Sequence, residues 1–369
     1  MTSTTTPSSR KDERVAEISA TGKILRRPEV GAVLGALVVW VFFAVIAPEN
    51  WIGLGGFARI IDSSSTLGIM AIAVALLMIG GEFDLSAGVM TGTAGLIAGL
   101  LSTQVGLNFW VAALIALVFA LVVGYINGLM VVKTGLPSFI VTLATFFILR
   151  GANVGVTKLL TDQVRVAGID KVAGFASARA FFNTEIAIFG EKFWTSFIWW
   201  IIIAIIGAWI LQRTHWGNWI FATGGDSKSA RNVGVPAIKV KIALFMTTAG
   251  AAWLVGIMND VRLRSAVASQ GIGQEFVYII AAVIGGCLLT GGYGSVMGAA
   301  IGALIFGMAR VGIVFAGWPT DWFYSFLGVM LLVAVLVNNY TRKRAEAMTT
   351  AMVKAKVESG ELAKEEGEA

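Results

Sequence analysis

Ten apolar segments, spread over almost the whole chain, restrict its fold more than any other feature. They fall at about 29–47, 63–80, 86–103, 109–131, 138–156, 194–212, 242–260, 276–290, 295–313 and 322–340. A helix needs about 20 residues to cross the ~30 Å hydrocarbon core, so only 276–290 is marginal. Lipid offers the backbone no hydrogen-bond partners, and a helix satisfies its own. The expectation is an all-α polytopic membrane protein with about ten transmembrane helices. Composition agrees: of 369 residues, 57% are hydrophobic and 14% charged, against ~25% charged in soluble domains. That balance excludes an ordinary soluble enzyme, a disordered scaffold and a nucleic-acid binder.

An even number of spans puts both termini on one side. Basic residues divide 18 to the side of the termini against 8 on the other, and cytoplasmic segments carry the excess of Lys and Arg. Both termini are therefore expected in the cytoplasm. Residues 1–28 read as an N-terminal tail, 29–341 as the transmembrane domain and 342–369 as a C-terminal tail. The first tail lacks the short apolar core and small-residue cleavage site of a signal peptide. The net charge of +6 is then mostly sidedness.

Little in the chain could do bond-making chemistry. The single histidine, His215, and the single cysteine, Cys287, cannot build a zinc site or an intrachain disulfide. Gly224-Gly225-Asp226-Ser227-Lys228-Ser229 lacks the G-x-x-x-x-G-K-[ST] spacing that cradles a nucleotide phosphate. No catalytic residue, metal site or cofactor is expected on this chain, and any ATP site lies on another one.

Three motifs stand out. In Gly80–Gly88, GGEFDLSAG, Glu82 and Asp84 lie between two apolar spans, where charge is costly and is kept for protein, water or a functional path. Asp84 and Ser86 also fit a cap for the following helix, so capping, ligation and gating all stay open. In Gly135–Gly151, GLPSFIVTLATFFILRG, Pro137 suits a first helical turn. Thr142 and Thr145 can bond back to the helix or across to a neighbour. Arg150 is expected near the outer end, free to snorkel. The third motif, in 217–241, joins spans six and seven. Asp226 or Ser227 suits an N-cap, Gly234 a left-handed terminator and Pro236 the stop beyond it. A short capped helix facing the cytoplasm results. Ala230 would permit close approach of a partner, and Lys228 and Arg231 could meet acidic groups; a plain solvated loop is the other reading.

Two outward segments, 157–193 and 260–275, carry mixed charge and suit either solvation or docking of a soluble protein. A faint repeat relates 78–100 to 288–308 through their Gly-Gly pairs, with both copies in the same orientation.

Taken in order, GGEFDLSAG, GLPSFIVTLATFFILRG, FATGGDSKSARNVGVP and GGYGSVMGAAIGALIFG resemble the ribose-type permease subunits of bacterial ABC importers, over about residues 30–342. The resemblance implies a cobalamin-importer-like permease fold in the bacterial inner membrane and a second permease chain, a homodimer being expected. It also implies a cytoplasmic ABC ATPase carrying ATP and magnesium, and an extracytoplasmic binding protein delivering a monosaccharide or related polyol. The ATPase would dock on a coupling helix matched by Gly224, Gly225, Asp226, Ser227, Ser229, Ala230, Arg231 and Gly234. Pathway or gating roles are expected of Glu82, Asp84, Ser86, Asn127 and Arg150. Such permeases usually read Gly-Gly, one apolar residue, then Asp-Leu-Ser. Here Glu82-Phe83 fill that gap, one residue longer and one charge richer, which bears on ribose as substrate and on gating. The competing reading is a secondary transporter of a small polar solute coupled to an ion gradient, which would place ionisable groups in mid-helix.

Overall fold

The computed structural model describes residues 28–333 with 335 and 336. Nearly all of the N-terminal tail, and the whole C-terminal one, lie outside the described residues. Among the described residues, seven helices are long and apolar enough to cross a membrane. They are α1 (Pro28–Ile46), α3 (Leu54–Ile79), α5 (Phe109–Thr134), α6 (Ser138–Thr161), α8 (Ser196–Arg213), α11 (Ala237–Leu263) and α13 (Val296–Phe315). Three shorter apolar helices occupy the other expected positions: α4 (Ala87–Thr103), α12 (Gln274–Ile284) and α14 (Trp322–Val333). Four small helices complete the set: α2 (Pro48–Trp51), α7 (Phe175–Phe182), α9 (His215–Gly225) and α10 (Ser227–Asn232). Helix α3 begins nine residues before the expected span at 63, because Gly53 in an extended conformation starts it.

Two minor sheets depart from the all-α expectation. Strand β1 (Arg165–Ala167) pairs antiparallel with β4 (Ser265–Val267), and β2 (Glu185–Ile188) with β3 (Glu191–Trp194). Both lie at the face that also holds 48–53, 104–108 and 162–195, here the far face. The near face holds 80–86, 135–137, 226–232 and 285–295.

The buried centre is α3, α4, α11 and α13. Along α4 the glycines Gly88, Gly92, Gly95 and Gly99 recur at helical spacing, leaving a side-chain-free stripe. The Asp260 carboxylate rests on it at Gly95 and the Gln270 carbonyl at Gly92. Small residues are what allow such approach between membrane helices. The outer helices instead show apolar side chains such as Val45, Ile148 and Ile205 to the surroundings, as lipid requires.

Helix α12 has 11 residues, about 16 Å at 1.5 Å per residue, and crosses only part of the core. It starts beside α4 at Gly88, after an irregular stretch 268–273 that packs on α4. Irregular backbone at that depth persists only when protein or a wet cavity covers it.

Packing is reciprocal: α3 lies most extensively on α13, and α11 on α5. Exchanging α3, α4 and α5 with α11, α12 and α13 reproduces the pattern of contacts among these six helices. Yet α3 and α11 run in opposite directions, since Glu82 just beyond the end of α3 meets Lys241 near the start of α11, and Asp62 meets Arg262 near the opposite ends. These halves are inverted, whereas the two Gly-Gly turns of the repeat read from sequence both lie at the near face in one orientation; what the structure corrects in that repeat is its alignment. Its Gly80-Gly81 corresponds structurally to Gly285-Gly286, not to Gly291-Gly292. In both, the second glycine is left-handed (φ +83° and +93°). In both, the next amide bonds five residues back, Glu82 to Leu77 and Cys287 to Ala282. The likeness is a shared helix stop.

Candidate functional site at the near face

Helix α10 is built as its sequence signals require. The Asp226 carboxylate accepts from the amides of Lys228 (2.8 Å) and Ser229 (3.2 Å) and from the Ser229 hydroxyl (2.8 Å). Those bonds, the Ser229 hydroxyl first, hold its pKa below the usual carboxylate range. Gly234, left-handed at φ +88°, ends the helix, and the Val235 amide reaches back to the Ala230 carbonyl (3.0 Å). Ser227 is its first residue. Two details differ from expectation. Ala230 is buried and faces the bundle, so the outward face is Lys228, Arg231, Asn232 and Val233. Val233, 80% exposed, is an apolar residue on that face which polar-loop reasoning passed over.

Asp226→Ala is expected to speed amide exchange at Lys228 and Ser229 several-fold. The folded carboxyl pKa is depressed, so the cap operates above the ordinary Asp pKa and is lost as pH falls through the lowered value. Exchange unchanged by the substitution at neutral pH would contradict the cap.

Directly before α10, Gly224 enters a junction of bare backbone. A Cβ on Gly224 would lie 1.8 Å from the Ile79 carbonyl oxygen and 2.7 Å from the Gly292 amide nitrogen. One on Gly81 would lie 3.2 Å from the Gly224 Cα, and one on Gly291 2.7 Å from the Gly81 Cα. The Gly292 amide donates to the Ile79 carbonyl (2.9 Å). Three segments distant in sequence thus meet with no side chain between them. Gly225 by contrast has open space where its Cβ would be.

From Gly81 the hairpin turns back into the bundle. Glu82 is buried and ion-paired with Lys241 of α11, which accounts for its extra charge. The Phe83 amide donates to the Ser138 hydroxyl (3.0 Å) and the Leu85 amide to the Thr142 hydroxyl (3.0 Å), both on α6. Asp84 Oδ1 accepts from the Ser86 amide (2.8 Å) and hydroxyl (2.6 Å). Asn127 of α5 donates to the Ser86 hydroxyl (3.1 Å) and accepts from the Thr145 hydroxyl (2.6 Å). Ser86 precedes α4 but makes no side-chain bond to its amides. The Asp84–Ser86–Asn127–Thr145 chain is thus a buried cross-link among hairpin, α5 and α6.

Arg150 is not part of this network. Helix α6 runs 11 residues past it to Thr161, so Arg150 sits halfway along rather than near an end. It is exposed, with its guanidinium 6.0 Å from the Phe146 ring centroid.

At the far face the mixed-charge segment 260–275 is corrected. Asp260 (0% exposed) and Glu275 (3%) are buried. Arg262 grips Asp62 with two bonds of 2.8 Å, its guanidinium 4.5 Å from the Trp194 ring centroid. Only Arg264 among these four faces outward. In 157–193, Lys158, Asp162, Arg165, Asp170, Lys171, Glu185, Glu191 and Lys192 are exposed. Sequence reasoning missed Lys241, the Gly291-Gly292 contact and the Asp62–Arg262 pair. A lysine opening a long apolar run was the one visible sign of the first.

Seven long apolar helices with a glycine-packed centre, and a capped helix standing out at one face, define a multi-pass membrane protein. Residues 56–335 match the family described as "Branched-chain amino acid transport system / permease component", and the chain belongs to that family. It is therefore a permease component of the inner membrane. It is 30% identical over 312 residues to the ribose import permease protein RbsC of Escherichia coli K12, covering 84% of this chain and 94% of that one. It is 27% identical over 303 residues to the fructose import permease protein FrcC of Rhizobium meliloti, with 82% and 83% covered. To the xylose transport system permease protein XylH of Haemophilus influenzae it is 27% identical over 356 residues, with 83% and 95% covered. No solved structure matches.

Proposed function

We propose that the chain forms the translocation pathway of an ATP-binding cassette importer for a monosaccharide or related polyol, with no ATP site of its own. Similarity to permeases named for ribose, fructose and xylose over most of their length supports the substrate class. The observation that carries the mechanism is α10, a rigidly capped helix presented outward and rooted in the Gly224 junction. A cytoplasmic ATPase carrying ATP and magnesium docks there, with Lys228, Arg231 and Val233 as contacts. The near face is then cytoplasmic, as are both termini. Helices α4 and α14, and α12 together with the irregular stretch 268–273 before it, bring the spans to ten in a cobalamin-importer-like fold. The far face, with the exposed charges of 157–193, receives the extracytoplasmic binding protein.

A second copy of the chain completes the pathway. An exposed arginine halfway along a membrane helix is too costly to face lipid, so Arg150 faces protein or water. Gly151 and Gly155, one helical turn apart beside it, both have open space around them, the small-xxx-small spacing that lets helices approach. The α6 face is thus the seam between two permeases, with Arg150 on the solute's route. Glu82, Asp84, Ser86 and Asn127 act as gating elements.

The test is uptake of labelled ribose, fructose and xylose into vesicles holding the permease with its ATPase. ATP-dependent, binding-protein-dependent uptake of one of them is expected. Among the described residues, buried Asp260, both oxygens without a partner, and buried Glu275, with one such oxygen, are the observations on the side of ion coupling. Uptake driven by a proton or sodium gradient without ATP would select that reading instead.

A further inference from the structure

The segments that flank helix α10 touch the hairpin 80–86 and the end of α3 from both sides. On its N-terminal flank Gly224 lies against Ile79 and Gly81. On its C-terminal flank, past Pro236, Lys241 on the second turn of α11 holds Glu82. A displacement of α10 that carried its flanking segments along would bear on the hairpin at both contacts. The hairpin's far end is tied to α6 by backbone amides: Phe83 to Ser138, Leu85 to Thr142, each 3.0 Å. Asn127 and Thr145 reinforce that tie through Ser86. Close-packed backbone transmits displacement with little give.

We infer that the hairpin 80–86 is the relay between α10 and α6, and that Lys241 is a positioning residue for transport through its ion pair with Glu82. The inference rests on the proposed docking of an ATPase at α10. It assigns the extra carboxylate of GGEFDLS a mechanical role rather than contact with solute. Both partners are nearly buried, their side chains 17% and 9% exposed, so the pair is weakly screened. Contiguity alone does not establish coupling between sites, which is why the test reads coupling rather than activity.

The experiment measures solute uptake and ATP hydrolysis together in vesicles carrying the whole complex, for wild type, Lys241→Met and the exchange Glu82→Lys/Lys241→Glu. Lys241→Met is expected to lower uptake per ATP about tenfold, within the usual range of coupling energies, while hydrolysis persists. The exchange is expected to recover most of the loss. Uptake per ATP unchanged in Lys241→Met overturns the inference. Should Lys241→Met fail to assemble, the exchange decides alone: recovery of coupled uptake supports the relay and continued failure defeats it. Absence of ATP-driven uptake in the wild type would instead defeat the docking reading itself, and the relay with it.

Discussion

Gly224→Ala is expected to abolish coupled uptake, whereas Gly225→Ala, one residue on, is expected to leave it nearly unchanged. The two substitutions add the same methyl group. At Gly224 it lands 1.8 Å from the Ile79 carbonyl oxygen, and at Gly225 it meets nothing within 4 Å. Side chains can rotate away from an added methyl, but the Ile79 carbonyl and the Gly292 amide it binds are backbone. The junction must open, at a cost of about 1–3 kcal/mol for overpacking in a close-packed site. Opening separates α9 from the hairpin and from 288–294 together. Uptake in vesicles reads the outcome, and amide exchange of Gly292 reports whether its bond to Ile79 is broken. Equal behaviour of the two variants would show that the junction tolerates volume.

Arg262→Ala carries the second large effect, at the opposite face. It removes a two-bonded ion pair with Asp62 and a guanidinium stacked over Trp194. Hydrogen bonds to charged groups contribute about 1.5–3 kcal/mol and a cation–π contact at a partly exposed site about 0.5–1 kcal/mol. The side chains are 32% and 23% exposed, so water and lipid headgroups recover part of the loss. A net loss of about 2–3 kcal/mol follows, read as a lower thermal unfolding midpoint in nanodiscs. Arg262→Lys keeps the charge but not the planar fork and is expected to fall between. A midpoint for Arg262→Ala equal to wild type would mean Asp62 and Trp194 find other partners.

Long helices were legible because hydropathy is a local signal, and the seven longest fall where apolar runs predict them. So was α10, since Asp226, Gly234 and Pro236 act on their immediate neighbours. Helix α12 was not. The chain offers Gly-Gly at 285–286 and again at 291–292, and hydropathy cannot say which pair stops the helix and which packs on Gly81. Ala230 was read as facing a partner because one short turn carries no periodicity to orient it. Asp260 and Glu275 were placed outside because charge near a span's end ordinarily marks water. Only the stripe of glycines on α4, gathered in three dimensions, shows that they are inside. Lys241 and Glu82 stand 159 residues apart, and Arg165 and Val267, which face each other across β1 and β4, 102 apart. Such pairings belong to the tertiary fold and leave no mark on either segment alone.

The junction at Gly81, Gly224, Gly291 and Gly292 contributes only main-chain atoms. A joint of that kind holds no lock-and-key record of the solute. Solute preference and power transmission are then separable inheritances. If an ATPase docks on α10 as proposed, chimaeras that take the far half from one sugar permease and α10 with the near-face junction from another should run on the ATPase that suits that α10. One engine can in this way serve many cargoes.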